Sequence, residues 1–208
     1  EAFRLVGRQF EGLTTAYEAQ IWLVKAFVES KDFSSADLVL ENILSDENFP
    51  TELNKELALI MAHYHMRQKD YVPAVGELEE AISLTKKKRE KSRYLYMVAQ
   101  LHYNQENYPA ATDYFSKVIR TSPDYEMTFN AKINRARSFD TSSGGSDQIK
   151  DELNKMLKDA KNKEFLDVIY FGLAELSKRE GKLNEAIPPY VKSVSKSIKN
   201  NAQKSLSS

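Results

Sequence analysis

The side chains with the widest chemical reach are three histidines, a glycine pair and one dense basic run, and their spacing decides what each can do. His63 and His65 stand two apart, which on a helix turns them to different faces, whereas helical metal-binding pairs sit three or four apart. No metal site is expected. His65 and His102 hold equivalent slots of a repeating unit, so helix packing accounts for both. Gly144-Gly145 lies in a serine-rich stretch without the lysine-and-hydroxyl ending of a phosphate loop and without a preceding strand, and it reads as a linker. No glycine-flanked serine elbow or other catalytic constellation is present, so no catalytic residue and no cofactor is expected and the chain is read as non-enzymatic. With no cysteine there are no disulfides, thiolate zinc sites or cysteine nucleophiles, and the compartment stays open.

Thirty basic residues balance thirty acidic ones. A chain with no net charge has no summed field to draw nucleic acid or anionic lipid, which leaves proteins as the expected partners and nucleic acid excluded. The basic run Lys86, Lys87, Lys88, Arg89, Lys91 and Arg93, with Glu90 inside it, reads as a solvated turn between units; the alternative is a contact for an acidic partner segment. The longest apolar run, Leu57 to Ala62, is far short of the roughly 18 residues a membrane span needs. The chain opens on Glu1 with no signal-peptide pattern, and 198–208 reads as a tail in which a further helix could begin. It is therefore read as a fragment whose signal or anchor, if any, lies outside it.

The elements that must position these residues are helices. Glycines number seven and prolines six, and 41% of residues are hydrophobic and recur at spacings of three and four. Short polar turns lead into the alanines Ala36, Ala74, Ala111 and Ala186, separated by 38, 37 and 75 residues; the last gap is two periods of about 37. A further unit is expected inside it, pairing a helix around Phe129 to Phe139 with one around Gln148 to Ala160 through Ala136, Leu153, Leu157 and Ala160. Its turn is widened by residues 141–147, with Ser146 or Asp147 expected to cap the following helix. Pro188-Pro189 removes two backbone donors, so the last helix is expected to start near Ala186.

Leu95, Val98, Ala99, His102, Ala111, Phe115, Val118 and Pro123 fall at the signature spacings of the tetratricopeptide (TPR) repeat, and this unit resembles that family except for His102 in the tyrosine slot. Ala62, His65, Tyr71, Ala74, Leu78 and Ala81 repeat the pattern; Val24, Phe27, Phe33, Ala36, Leu40 and Ile43 give a looser version, and Ala174, Leu183, Ala186, Tyr190 and Val194 mark the last. The resemblance implies an all-α fold: a right-handed α-solenoid of about five TPR-like helix-turn-helix repeats, roughly 17–50, 54–87, 92–125, 126–162 and 164–197, as a single domain. Phe3, Leu5, Val6 and Phe10 would belong to the last helix of a preceding repeat. In such a solenoid the first helix of each pair lines a concave surface, which puts Lys25, His63, Arg67, Arg93, Tyr96, Gln100, Asn130, Ile133 and Arg137 in a polar, mildly basic groove for an extended or helical peptide. The alternative is an ordinary wet surface.

The family serves many unrelated assemblies. A carboxylate clamp for chaperone tails is not expected, because residues such as Ile21, Trp22 and Met97 fill the corresponding positions. Segments 19–23, 84–93 and 122–132 are similar to the periplasmic TPR lipoproteins of Bacteroidetes of the SprE and PorW type. That likeness implies a scaffold linking components of type IX protein secretion and gliding motility, attached to the outer membrane by a lipid anchor outside these residues. The alternative is a general TPR adaptor or co-chaperone-like module, cytoplasmic or periplasmic, unrelated to secretion, that binds a peptide segment in its concave groove.

Overall fold

The computed structural model describes residues 2–3, 5, 13–121, 124–141 and 144–197. Among them the chain is all-α, with ten α-helices packed in chain order and no strand. The helices are α1 (Thr14–Glu29), α2 (Phe33–Ser45), α3 (Asn54–Arg67), α4 (Tyr71–Leu84), α5 (Lys88–Asn104), α6 (Tyr108–Thr121), α7 (Tyr125–Arg137), α8 (Ser146–Lys158), α9 (Leu166–Arg179) and α10 (Leu183–Lys196). Short 3-10 segments, Thr51–Leu53 and Ala160–Phe165, lead into α3 and α9.

Four turns close in the same way. The first helix of each hairpin ends on a residue in the left-handed region: Lys31 at φ 62°, Lys69 at 64°, Glu106 at 59° and Gly181 at 76°. The next N–H in each, from Asp32, Asp70, Asn107 and Lys182, donates back to the carbonyl of Phe27, His65, His102 and Ser177, in every case at 2.9 Å. Such a bond satisfies a carbonyl that the helix end would leave orphaned. The same residue then begins the second helix: Asp32 accepts from Ser35 N–H at 3.2 Å, and Asn107 from Ala110 N–H at 3.4 Å. One residue thus ends one helix and starts the next, which fixes the turn length and returns the chain against itself.

Spacing in the core follows the turns. Val24, Ala62, Ala99, Ala136 and Ala174 lie 38, 37, 37 and 38 residues apart along the first helices, and all are 0% exposed. On the second helices Ala36, Ala74 and Ala111 are fully buried too, so small side chains face each other where backbones approach. Leu78 and Phe115, each one turn past Ala74 and Ala111, and Leu153 on α8 fill the remaining volume; full burial of such a side chain contributes about 1.5–3 kcal/mol.

The described chain divides into two compact units, 1–94 and 95–208, the division falling within α5. In the first, α1 packs on α2 and α3, and α3 on α4. Its core joins Val24, Val28, Ala36, Leu40, Ile43 and Ile60. In the second, α7 packs on α6, α8 and α9, and α9 on α10. Its core gathers Phe129, Ile133, Ile149, Leu153, Ile169 and Leu176 around Gly172, where a Cβ would lie 3.4 Å from Ile133 Cδ1.

Several sequence expectations are corrected. The expected unit between Phe129 and Ala160 exists as α7 and α8, and Ala136 and Leu153 are fully buried, but Ala160 is exposed in the 3-10 segment and Ile149 and Met156 take its place. Neither Ser146 nor Asp147 caps α8; Gly145, at φ 81°, sits before its first residue and the left-handed backbone makes the start. The last helix begins at Leu183 rather than near Ala186, and Pro188 and Pro189 lie inside it. Its first turn is fixed by Glu185 and Ala186 N–H donating to the Lys182 carbonyl, upstream of the prolines. Only Lys86 and Lys87 of the basic run are in the turn; Lys88, Arg89, Lys91 and Arg93 have joined α5, where straight-chain residues are good helix formers. Phe3 and Leu5 are helical, whereas Val6, Phe10 and Pro123 lie outside the described residues, as does the tail 198–208.

Candidate functional site

In the first unit, residues at helical spacing on α1 meet α3. Trp22 is 52% exposed, stacks on Phe3 with centroids 6.5 Å apart, and carries Lys25 Nζ 4.8 Å above its ring. One turn on, Glu29 places its carboxylate 3.1 Å from His63 Nε2 and 3.7 Å from the Arg67 guanidinium. Glu29 was not among the residues expected from sequence, because a hydrophobic pattern does not reveal which acid a basic pair will share. Glu29 and Arg67 are exposed, so their ion pair contributes well under about 1 kcal/mol and stays available for exchange with a ligand, while His63 is half-buried beside it. Arg93, on the second turn of α5, is exposed and makes no ion pair among the described residues.

In the second unit α5, α6, α7, α9 and α10 build a belt of aromatic rings and arginines. Tyr96 is half-buried, packs edge-on against Phe115 at 5.5 Å and accepts a 2.7 Å bond from Asn134 Nδ2. Arg137 Nη1 donates to Asn134 Oδ1 at 3.2 Å, so the amide is held from both ends. The Arg137 guanidinium lies 5.4 Å from the Tyr103 ring and 5.6 Å from the Phe171 ring, while its buried Nε has no hydrogen-bond partner. Phe171 meets Tyr190 edge-on at 5.9 Å, and the Tyr190 hydroxyl is bound to the Glu175 carboxylate. Arg179 covers Tyr108 at 3.6 Å and donates through Nε to the Arg137 carbonyl at 3.0 Å. Burial pushes the Tyr96 phenol above its ordinary value; burial followed by the Glu175 carboxylate does the same to Tyr190. Both hydroxyls therefore remain protonated donors at neutral pH.

The nine groove residues are not all of one kind. Tyr96 and Arg137 come together through Asn134, Gln100 is exposed on α5, and Asn130 lies two turns before Arg137 on α7. Ile133 is a correction: at 4% exposure it belongs to the core against Gly172, where apolar surface is worth more than at a wet face. Tyr103 is read from sequence as one of a cluster of aromatics that are mostly core, whereas sequence reasoning missed Asn134 and Phe171. Their signal was the run of aromatics and amides at spacings of three and four on successive first helices. Arg135, which neighbours them in sequence, serves the core instead: it is 8% exposed and its Nη2 is 2.7 Å from Glu152 Oε2.

Beside the belt, a cavity of about 640 Å³ opens between the start of α7, the second 3-10 segment and the start of α9. Tyr125, Phe129 and Phe165 form its walls, with Asn130, Asp167 and Lys163 among its polar lining. The Tyr125 hydroxyl is bound to Asn162, whose Nδ2 donates to the Met156 carbonyl at 2.8 Å, and this anchors the 3-10 segment. What these surfaces offer is stacking area, amides and guanidinium donors, which is recognition chemistry. Among the described residues no three His, Cys, Asp or Glu side chains converge to hold a metal ion, and no helix is long and apolar enough to cross a membrane. No protein-family model matches the chain, and no curated protein matches it.

Proposed function

We propose that the chain is a TPR scaffold, non-catalytic and needing no cofactor, that binds a segment of a protein partner along the faces of its first helices. The finer fold reading is a right-handed α-solenoid of about five TPR-like repeats. The observation that carries it is the fourfold turn: the same left-handed residue and the same 2.9 Å closing bond recur at 31, 69, 106 and 181, in step with the buried small residues. Repetition at this period is what a stacked-hairpin protein requires, and such proteins work by surface. Each unit offers its own binding surface: the belt around Tyr96, Asn134 and Arg137 in one, and the Trp22, Lys25, His63 and Arg67 group in the other.

The setting we favour is a cell-envelope assembly such as type IX secretion and gliding motility, with outer-membrane attachment through an anchor outside these residues. It rests on the likeness of segments 19–23, 84–93 and 122–132. Affinity capture from envelope extracts, using the chain and its Arg93→Glu, Arg137→Glu double variant, tests the binding reading. A protein partner retained by the first and lost by the second, at equal helicity by circular dichroism, is the expected result. Equal capture by both removes the first-helix faces as the binding surface, and capture only of cytoplasmic proteins favours a general adaptor.

A further inference from the structure

We propose that the cavity at the start of α7 and α9 takes a guanidinium: the arginine side chain of an extended segment of the protein partner. Asp167, 6% exposed, lines this cavity, and its carboxylate has no hydrogen-bond or ion-pair partner among the described residues. Its backbone carbonyl accepts from Ser193 Oγ at 2.8 Å, which pins the residue from behind. A buried carboxylate is costly until a cation is brought to it. The walls suit one cation in particular. Phe129 and Phe165 lie 5.4 Å apart at 53°, Tyr125 and Phe129 6.4 Å apart at 33°, and Tyr125 and Phe165 are each nearly half exposed, so aromatic surface is open in the same cavity that Asp167 lines. A planar guanidinium stacks on such rings and presents several donors to a carboxylate at once, which a point-like ammonium does not.

Glu126 adds a second carboxylate at the mouth. Lys163 and Lys196 also line the opening, but both are exposed and unpaired among the described residues and can turn to water, whereas Asp167 cannot. An anion would have to settle against the fixed negative charge. The volume, about 640 Å³, holds more than one side chain and fits a stretch of polypeptide. That stretch has a path: Glu126, Asn130, Asn134 and Arg137 follow one another on α7 over about 16 Å, or roughly five residues of extended chain. The inference rests on the partner-binding reading for the source of the arginine, while the guanidinium contact is tested by itself.

The test is a titration of the isotope-labelled full chain, followed by NMR at Phe129, Phe165, Asp167 and Val168. The probes are a blocked Gly-Ser-Arg-Ser-Gly peptide, its citrulline analogue, and agmatine as a free guanidinium. Saturable shifts at those residues with the arginine peptide are expected, at least tenfold weaker with citrulline and with agmatine. Asp167→Asn should weaken the arginine peptide at least tenfold without lowering the melting temperature, and Phe165→Ala, at an exposed ring, several-fold. The inference is overturned by an absence of saturable shifts, by a citrulline peptide that binds equally, or by both variants binding as the parent does. Agmatine binding as tightly as the peptide overturns the partner as the source. A negative titration together with partner capture that still depends on Arg137 removes this pocket alone.

Discussion

Lys31, Lys69 and Glu106 occupy a backbone conformation that suits glycine, and only the fourth turn has one, Gly181. A Cβ in the left-handed region costs about 1–2 kcal/mol. Glycine gives back about 0.5–1 kcal/mol through the greater freedom of its unfolded chain. Each of Lys31→Gly, Lys69→Gly and Glu106→Gly should therefore stabilise by about 0.5–1 kcal/mol, and Gly181→Ala should destabilise by a similar amount. Among the described residues none of the three charged side chains makes an ion pair, and a Cβ at Gly181 would meet nothing within 4 Å, so backbone strain and the freedom of the unfolded chain are the quantities that change. The sites are 38 and 37 residues apart and share no partner, so the triple variant should gain about 2 kcal/mol by addition. Urea unfolding with a common m-value is the assay. Lys31→Ala and Glu106→Ala, which keep the Cβ, are the controls and should leave the midpoint unmoved. If the alanine variants gain as much as the glycine variants, or Gly181→Ala is neutral, the repeated left-handed turn does not govern these hairpins.

Two further outcomes follow from the second unit. Glu152→Ala should destabilise by about 3 kcal/mol in urea, since it strands the buried Arg135 guanidinium, and the double change Arg135→Met, Glu152→Leu should recover most of that loss. The Tyr96 and Tyr190 phenols are held above the ordinary 10.0, so the folded state keeps their protons more tightly than the unfolded chain does. Their contribution is complete below pH 10.0 and is lost as pH rises through the folded values, so the melting temperature should fall above about pH 10 and fall less steeply in Tyr96→Phe and Tyr190→Phe.

The helical class could be read directly, because apolar spacing of three and four is a local property of the chain. The repeat could be read where small residues must face each other, at Ala62, Ala99, Ala74 and Ala111, since nothing larger fits there. Reading failed where a local rule was met by another route. Pro188 and Pro189 are expected in the first turn of a helix starting near Ala186, yet the Lys182 carbonyl fixes the first turn further upstream, at Leu183, and the helix runs on through them. Ser146 and Asp147 are good capping types, but a left-handed Gly145 does the work of starting α8. For the site, helix phase placed Tyr96 and Arg137 on one surface but sent Ile133 there as well. Phase alone does not say which of two flanking helices will cover a residue, and Gly172 on α9 opens the space that buries it. Glu29 and Asp167 were out of reach, because an isolated acidic residue has meaning only once its neighbours in space are known.

The most direct measurement is site-specific photocrosslinking in living cells, with benzoylphenylalanine at Gln100 on the α5 face and, separately, at Arg120 on α6, which is 70% exposed. A discrete protein adduct from position 100 and none from position 120 is the outcome expected of a scaffold that presents its first helices to a partner. Adducts of equal yield from both positions, or from 120 alone, contradict it.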